Sequence, residues 1–338
     1  MNAKFDVIKR VDNISEFNMV DACKLLMSFS VIAAHTNMLK DVGNIAIQNI
    51  SCYLQEVCTM FFYVATGFFM LYKMPEPYSQ KELRINLQIK KLFKMYVVWT
   101  MLSLPVIIYG YIISGKSFIH CLLSFVKYFL FVGKLYNAHH LYFLLACIIA
   151  LWLMRMMIRK DCGMGMYLVT AYAVYTVNGC LLSFVNSDFE VLRSIGEAYQ
   201  YMFNEGAVFT GMAYIALGAL IAESRVYLNK WVCIVGLILI QILGEAGWLH
   251  LLKPMLLFML VMDIRLPDHK IWKEFRSIST LVYCSHLIVY SLYTFIILRN
   301  PNKQGIDSFI VTIIFSIILS LILIKTKNNI KWIKKIFF

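Results

Sequence analysis

Charge is what this sequence has least of. Only 15% of its 338 residues are Asp, Glu, Lys or Arg, while 60% are hydrophobic and the mean hydropathy is +0.70. A water-soluble domain is nearer a quarter charged and half apolar, so soluble folds are excluded. Long polar linkers are lacking too: apolar windows recur from residue 19 to residue 324, which points to one membrane domain over residues 1–338. A cleavable leader is not expected, because residues 1 to 18 are polar and of mixed charge and the first apolar stretch contains Asp21 and Lys24. The 9 cysteines sit mostly inside apolar windows without paired metal-ligand spacing, which leaves them as packing residues. Glycine-rich phosphate loops, HExxH, GxSxG and fixed-period repeats are absent.

What is present is a series of apolar windows. A spanning helix needs roughly 20 mainly apolar residues, and such helices are expected near 19 to 38, 51 to 72, 93 to 114, 140 to 158 and 164 to 183, then 205 to 222, 231 to 249, 251 to 264, 277 to 298 and 307 to 325. Residues 117 to 133 are apolar enough for a further interfacial or re-entrant piece. The expected fold is therefore an all-α polytopic bundle of about ten transmembrane helices.

Sidedness follows from the cations. Roughly three-quarters of the 32 Lys and Arg residues fall in one set of alternating loops, and short basic loops stay in the cytoplasm. Both termini are then cytoplasmic, which requires an even number of spans and places the chain in a cell membrane. The same argument accounts for the net charge of +13: membrane topology and anionic inner-leaflet lipid explain it, and no nucleic-acid partner is implied. The 20 Tyr and 6 Trp residues suit interfacial belts.

Ionisable groups at membrane depth are costly unless paired or hydrated, so they mark functional candidates. The first window carries Asp21, Lys24 and His35. At 100° per residue, Lys24, Ser28 and His35 all lie within about 60° of Asp21, forming one polar stripe. Lys24 and His35 are separated by a rise of roughly 16 Å, which runs from the cytoplasmic end to the outer third of the bilayer. Interfacial placement of Asp21 and Lys24 with a buried packing histidine would give the same pattern. Further candidates are His286, one turn after Tyr283 in the ninth window; His139 and His140 with Asn137 at the outer mouth of the fourth; Glu205, a helix N-terminal cap at the start of the sixth; and Glu245 within the seventh. His286 bonded to a neighbouring helix, and His139 and His140 merely solvated, are the simpler accounts of those residues.

Several of these segments together resemble the acyltransferase-3 family of bacterial membrane acyltransferases. Lys24 and His35 have the spacing of the family's hallmark, a basic residue and a histidine with ten residues between them. Residues 60 to 69, with Thr66 and Gly67, are similar to its aromatic "FFFxxSGY" segment, and Lys91 and Lys94 stand for its RxxR element ahead of the third helix. His140 opens a run similar to "HLWFL", and Ser279, Tyr283 and His286 follow its late "SYxxYLxH" helix.

The resemblance implies acyl transfer, usually of acetyl, from a cytoplasmic acyl-CoA such as acetyl-CoA to a hydroxyl of a surface glycan or lipid-linked sugar precursor, with no permanently bound cofactor or metal. The residues suit that chemistry. A neutral histidine can take the proton of an attacking hydroxyl, which makes His35 the expected catalytic base. Lys90, Lys91 and Lys94 offer cations to the donor's phosphates, although Lys lacks the planar fork of Arg and basic inner loops also serve topology alone. Substrate-binding roles are expected for Asp21, Lys24, Lys91, Lys94, His140, Glu205, Tyr283 and His286. The related fold also forms the membrane half of vancomycin-resistance serine racemases, so a transporter that supplies serine is the alternative. A racemase domain is not expected in this chain, and Gly- or Pro-interrupted helix pairs of the transporter kind are lacking.

Overall fold

A backbone inside a bilayer has no water to take up its N–H and C=O groups and must satisfy them internally. The computed structural model of the chain is accordingly helical. It describes residues 17–73, 78–244, 249–301, 303–327 and 329–330, and among these there is no strand beyond an isolated bridge between Leu135 and Ala138. Twelve α-helices follow in order: α1 (Asn18–Thr36), α2 (Ile45–Leu71), α3 (Tyr78–Ile113), α4 (Phe118–Lys127), α5 (Tyr142–Arg159), α6 (Met164–Ser183), α7 (Glu190–Phe203), α8 (Ala207–Ser224), α9 (Lys230–Leu243), α10 (Leu249–Asp263), α11 (Ile271–Leu292) and α12 (Ile306–Thr326). A π-helical turn extends α4 over Tyr128–Val132 and another extends α11 over Tyr293–Ile297.

Each of the ten expected windows falls on a helix, and α4 occupies the extra apolar piece. Among the described residues, seven helical segments are long and apolar enough to cross a membrane: Asn18–Thr36, Gln80–Ile113, His139–Arg159, Met164–Asn186, Ala207–Ser224, Ile271–Ile297 and Ile306–Thr326. The chain is thus an all-helical membrane protein. α7 was not expected, because its apolar residues alternate with Glu190, Arg193 and Glu197 and never form a continuous run.

The helices cluster into two units. The first comprises residues 1–65 and 221–338. In it α1 lies against both α11 and α12, with Ile32, Ile278 and Val282 at the core and Phe29, Phe309 and Ile313 packed around them. Asn18 at the start of α1 donates through Nδ2 to Asp268 Oδ1 at 2.9 Å, just ahead of α11. The start of α12 instead meets the end of α1, where the Gly305 N–H donates to the Thr36 carbonyl at 2.9 Å. α1 therefore runs parallel to α11 and antiparallel to α12. Ser308, Thr312, Ser316 and Ser320 recur every fourth residue on α12 and are fully buried, the small-residue face that lets helices approach closely in lipid.

The second unit comprises residues 66–220. Its longest element, α3, has 36 residues and so a length of about 54 Å, well beyond a hydrocarbon core of about 30 Å. The cations expected in a loop ahead of the third span, Lys90, Lys91 and Lys94 among them, lie instead inside this helix. Lys, Arg, Glu and Gln are good helix formers, and the polar first half of α3 is held down by Glu82, which receives Arg155 at 2.7 Å and Arg159 at 2.8 Å. Thr66 opens this unit, and a Cβ added at Gly67 would meet the Ile215 carbonyl oxygen at 1.9 Å. That contact gives the glycine of the "SGY"-like segment its physical reason.

Candidate functional site

The polar stripe of α1 is turned toward α11. At its N-terminal end Asp21 is 1% exposed and is gripped by Arg276, with Nε at 2.9 and 3.0 Å from the two carboxylate oxygens and a terminal nitrogen 2.6 Å from Oδ2. A bidentate guanidinium is the partner that best offsets burial of a carboxylate. Lys24 stands one turn further on, its ammonium 4.0 Å from Oδ1. Asp21 is therefore not an interfacial side chain: both of its oxygens are engaged by Arg276. The cluster of one carboxylate and two cations carries a net positive charge, and the Arg276 side chain is 51% exposed, so the end as a whole still presents a cation. Ser28, midway along the stripe, is buried and donates to its own helix at Leu25.

At the C-terminal end of the stripe His35 is half-buried and stacks on His286 of α11, with ring centroids 5.2 Å apart and planes 20° from parallel. His286 is fully buried. Its Nδ1 lies 2.7 Å from the Tyr283 carbonyl oxygen. A carbonyl only accepts, so Nδ1 carries a proton and donates it to Tyr283. Tyr283 is buried, its ring 5.9 Å from His286 and 5.7 Å from Phe62. Asp21, Lys24, His35, Tyr283 and His286 are thus brought together along the contact of two parallel helices. In the sequence nothing sets Arg276 apart from the other loop cations; the signal for it is the buried carboxylate, which demands a cation on a neighbouring helix.

The remaining candidates lie in the second unit. Lys90 and Lys94 are exposed on α3 and Lys91 is half-buried between them. His140 belongs to a single 3₁₀ turn, His139–Leu141, at the head of α5. It is 1% exposed rather than solvated at the helix mouth. Glu205 does not cap the sixth window: α8 begins at Ala207, and Glu205, 71% exposed, forms an ion pair with Lys134. Glu245 lies outside the described residues, as do Lys4, Lys9, Arg10, Lys331, Lys334 and Lys335. Among the described residues no group of three His, Cys, Asp or Glu is placed to hold a metal ion.

No family model matches this chain, and no solved structure does. It is 24% identical over 346 aligned positions to a protein of Enterococcus faecalis named amino-acid racemase, with 93% of this chain and 47% of that protein covered. The chain thus spans about half the length of that curated relative. With the apolar helices, the likeness fits a membrane protein related to that racemase.

Proposed function

We propose that the chain is a bacterial membrane O-acyltransferase of ten spans with both termini cytoplasmic, moving an acyl group from an acyl-CoA-type donor to a hydroxyl of a surface polysaccharide or lipid-linked glycan. The observation that carries this reading is the stacked pair of His35 and His286 on the same two helices that hold Arg276 and Lys24 at their inner ends. The parallel course of α1 and α11 and the antiparallel course of α1 and α12 agree with first, ninth and tenth spans. Cations at the inner ends suit the donor's phosphates, and the exposed lysines of α3 add cationic surface. His35, roughly 16 Å further along α1, takes the proton of the acceptor hydroxyl as its oxygen bonds to the thioester carbonyl carbon. Collapse of the tetrahedral adduct breaks the carbon–sulfur bond, and the departing thiolate receives the proton from the imidazolium. His286, its tautomer set by the Tyr283 carbonyl, holds the His35 ring in plane.

The relative favours a second reading. Because 47% of a protein named amino-acid racemase aligns here, the chain would be a membrane part that passes an amino acid, such as serine, through the polar contact of α1 and α11. One experiment separates the two: compare the surface glycan and serine uptake of cells with and without the gene. Loss of a single ester substituent with unchanged uptake supports acyl transfer, whereas intact esters with lost uptake support transport.

A further inference from the structure

Two apolar stripes in the second unit stand open to each other. Leu104, Ile108 and Ile112 on α3 line one side of a cavity of about 350 Å³, and Phe118, Leu122 and Phe125 on α4 line the other. Their spacings of three and four residues put each set on one helix face. Helices joined by so short a turn ordinarily close such faces on each other. Here both walls are anchored elsewhere. Tyr136 sits against α3 so closely that a Cβ at Gly110 would lie 2.0 Å from its ring. Beyond α4, Phe129 stacks on Tyr96 and its carbonyl accepts from the Tyr96 hydroxyl at 2.7 Å. At the end of α4, Lys127 donates to the Tyr201 carbonyl at 2.9 Å. Ile108, Ile112, Phe118 and Leu122 are exposed as well as lining, so the cavity opens sideways. A rigid apolar void does not attract water and accepts hydrocarbon instead.

The single charged residue in the lining is Lys116. It follows Gly115, whose φ of +64° ends α3 and turns the chain, and so it stands at the apex between the two walls. It is exposed, and among the described residues no carboxylate pairs with it. Lys127 lies within its field: burial, and then the charge of Lys116, lower the affinity of Lys127 for its proton. An apolar slot with a cation at its apex fits a ligand with a hydrocarbon chain and an anionic head. We propose that this cavity binds one acyl chain of an anionic phospholipid, with Lys116 on the phosphate. The site is independent of the acyl-transfer reading.

The test is native mass spectrometry of the full chain titrated with palmitoyl-oleoyl phosphatidylglycerol or phosphatidylcholine. Phosphatidylglycerol is expected to be retained at least ten-fold more tightly. Lys116→Glu should remove that preference, and Leu122→Trp, which fills the slot with an indole, should displace either lipid. Lys40→Glu makes the same charge change in the loop after α1 and should leave the preference intact. Unfolding temperatures close to wild type show that each variant folds. Equal retention of the two lipids, an unchanged preference in Lys116→Glu, equal loss in Lys40→Glu, or undiminished retention in Leu122→Trp would each overturn the proposal.

Discussion

Asp21 on α1 holds Arg276 on α11 through three contacts of 2.6 to 3.0 Å, and this pair fixes the register in which the two helices run side by side. With the carboxylate buried and the guanidinium half in contact with the surroundings, the interaction is lopsided. Removing Arg276 leaves the buried carboxylate with only the more distant Lys24 ammonium, 4.0 Å from Oδ1, while removing the carboxylate frees a guanidinium that can reach water.

Arg276→Ala is therefore expected to destabilise the protein more than Asp21→Asn. The cost is on the order of 2 kcal/mol, smaller than for a fully buried pair because Arg276 is partly exposed. Thermal unfolding in detergent measures it. Restoration of part of the lost stability by Asp21→Arg with Arg276→Asp would show that the contact itself matters, and equal destabilisation by the two single variants would contradict this account.

Most of the helices were legible because an apolar run of membrane length has few alternatives. What was not legible shares a physical cause: a group whose role depends on a residue far away in sequence. The first half of α3 read as a basic loop, since its helix is secured by Glu82 meeting Arg155 and Arg159. Glu205 read as a cap because its partner Lys134 lies well before it in the chain. The stripe on α1 was visible from spacing alone. That it faces Arg276 and His286, and which of its members are engaged, was not.

On the acyl-transfer proposal, neutralising Lys91 and Lys94 together, by changing each to Gln, should raise the apparent KM for the acyl donor several-fold with little effect on kcat. Gln is also a good helix former, so α3 should persist. Steady-state kinetics over a range of donor concentrations reads the effect, and an unchanged KM in a well-inserted double variant would return these lysines to a purely topological role.

If the proposed ten-span topology holds, reporters fused after Phe338 and at Lys4 should both read cytoplasmic, the side to which the loop cations assign both ends. A periplasmic or external signal at either end would remove the ten-span topology.

The sharpest expectation concerns His35 and His286. If His35 is the general base, His35→Ala should lower acyl transfer by about 10²- to 10⁴-fold, the usual cost of losing a positioned proton acceptor. His35→Gln should fail equally, since it retains hydrogen bonding but takes no proton at neutral pH. Insertion and unfolding temperature should change little in either variant, because the ring is only half-buried. On the same reading His286 positions His35, and its variants should behave differently. His286→Phe keeps an aromatic ring for the stack but loses the bond to the Tyr283 carbonyl, so kcat should fall by less than in His35→Ala while KM for the donor stays near wild type. His286→Asn, whose amide N–H can take the place of Nδ1–H toward that carbonyl, should recover part of the loss. A packing pair would give another pattern: Gln at His35 would rescue what Ala lost, and activity would follow the amount of folded protein. Full glycan esterification by a stably inserted His35→Gln protein would thus remove the catalytic assignment and shift the balance to the transport reading.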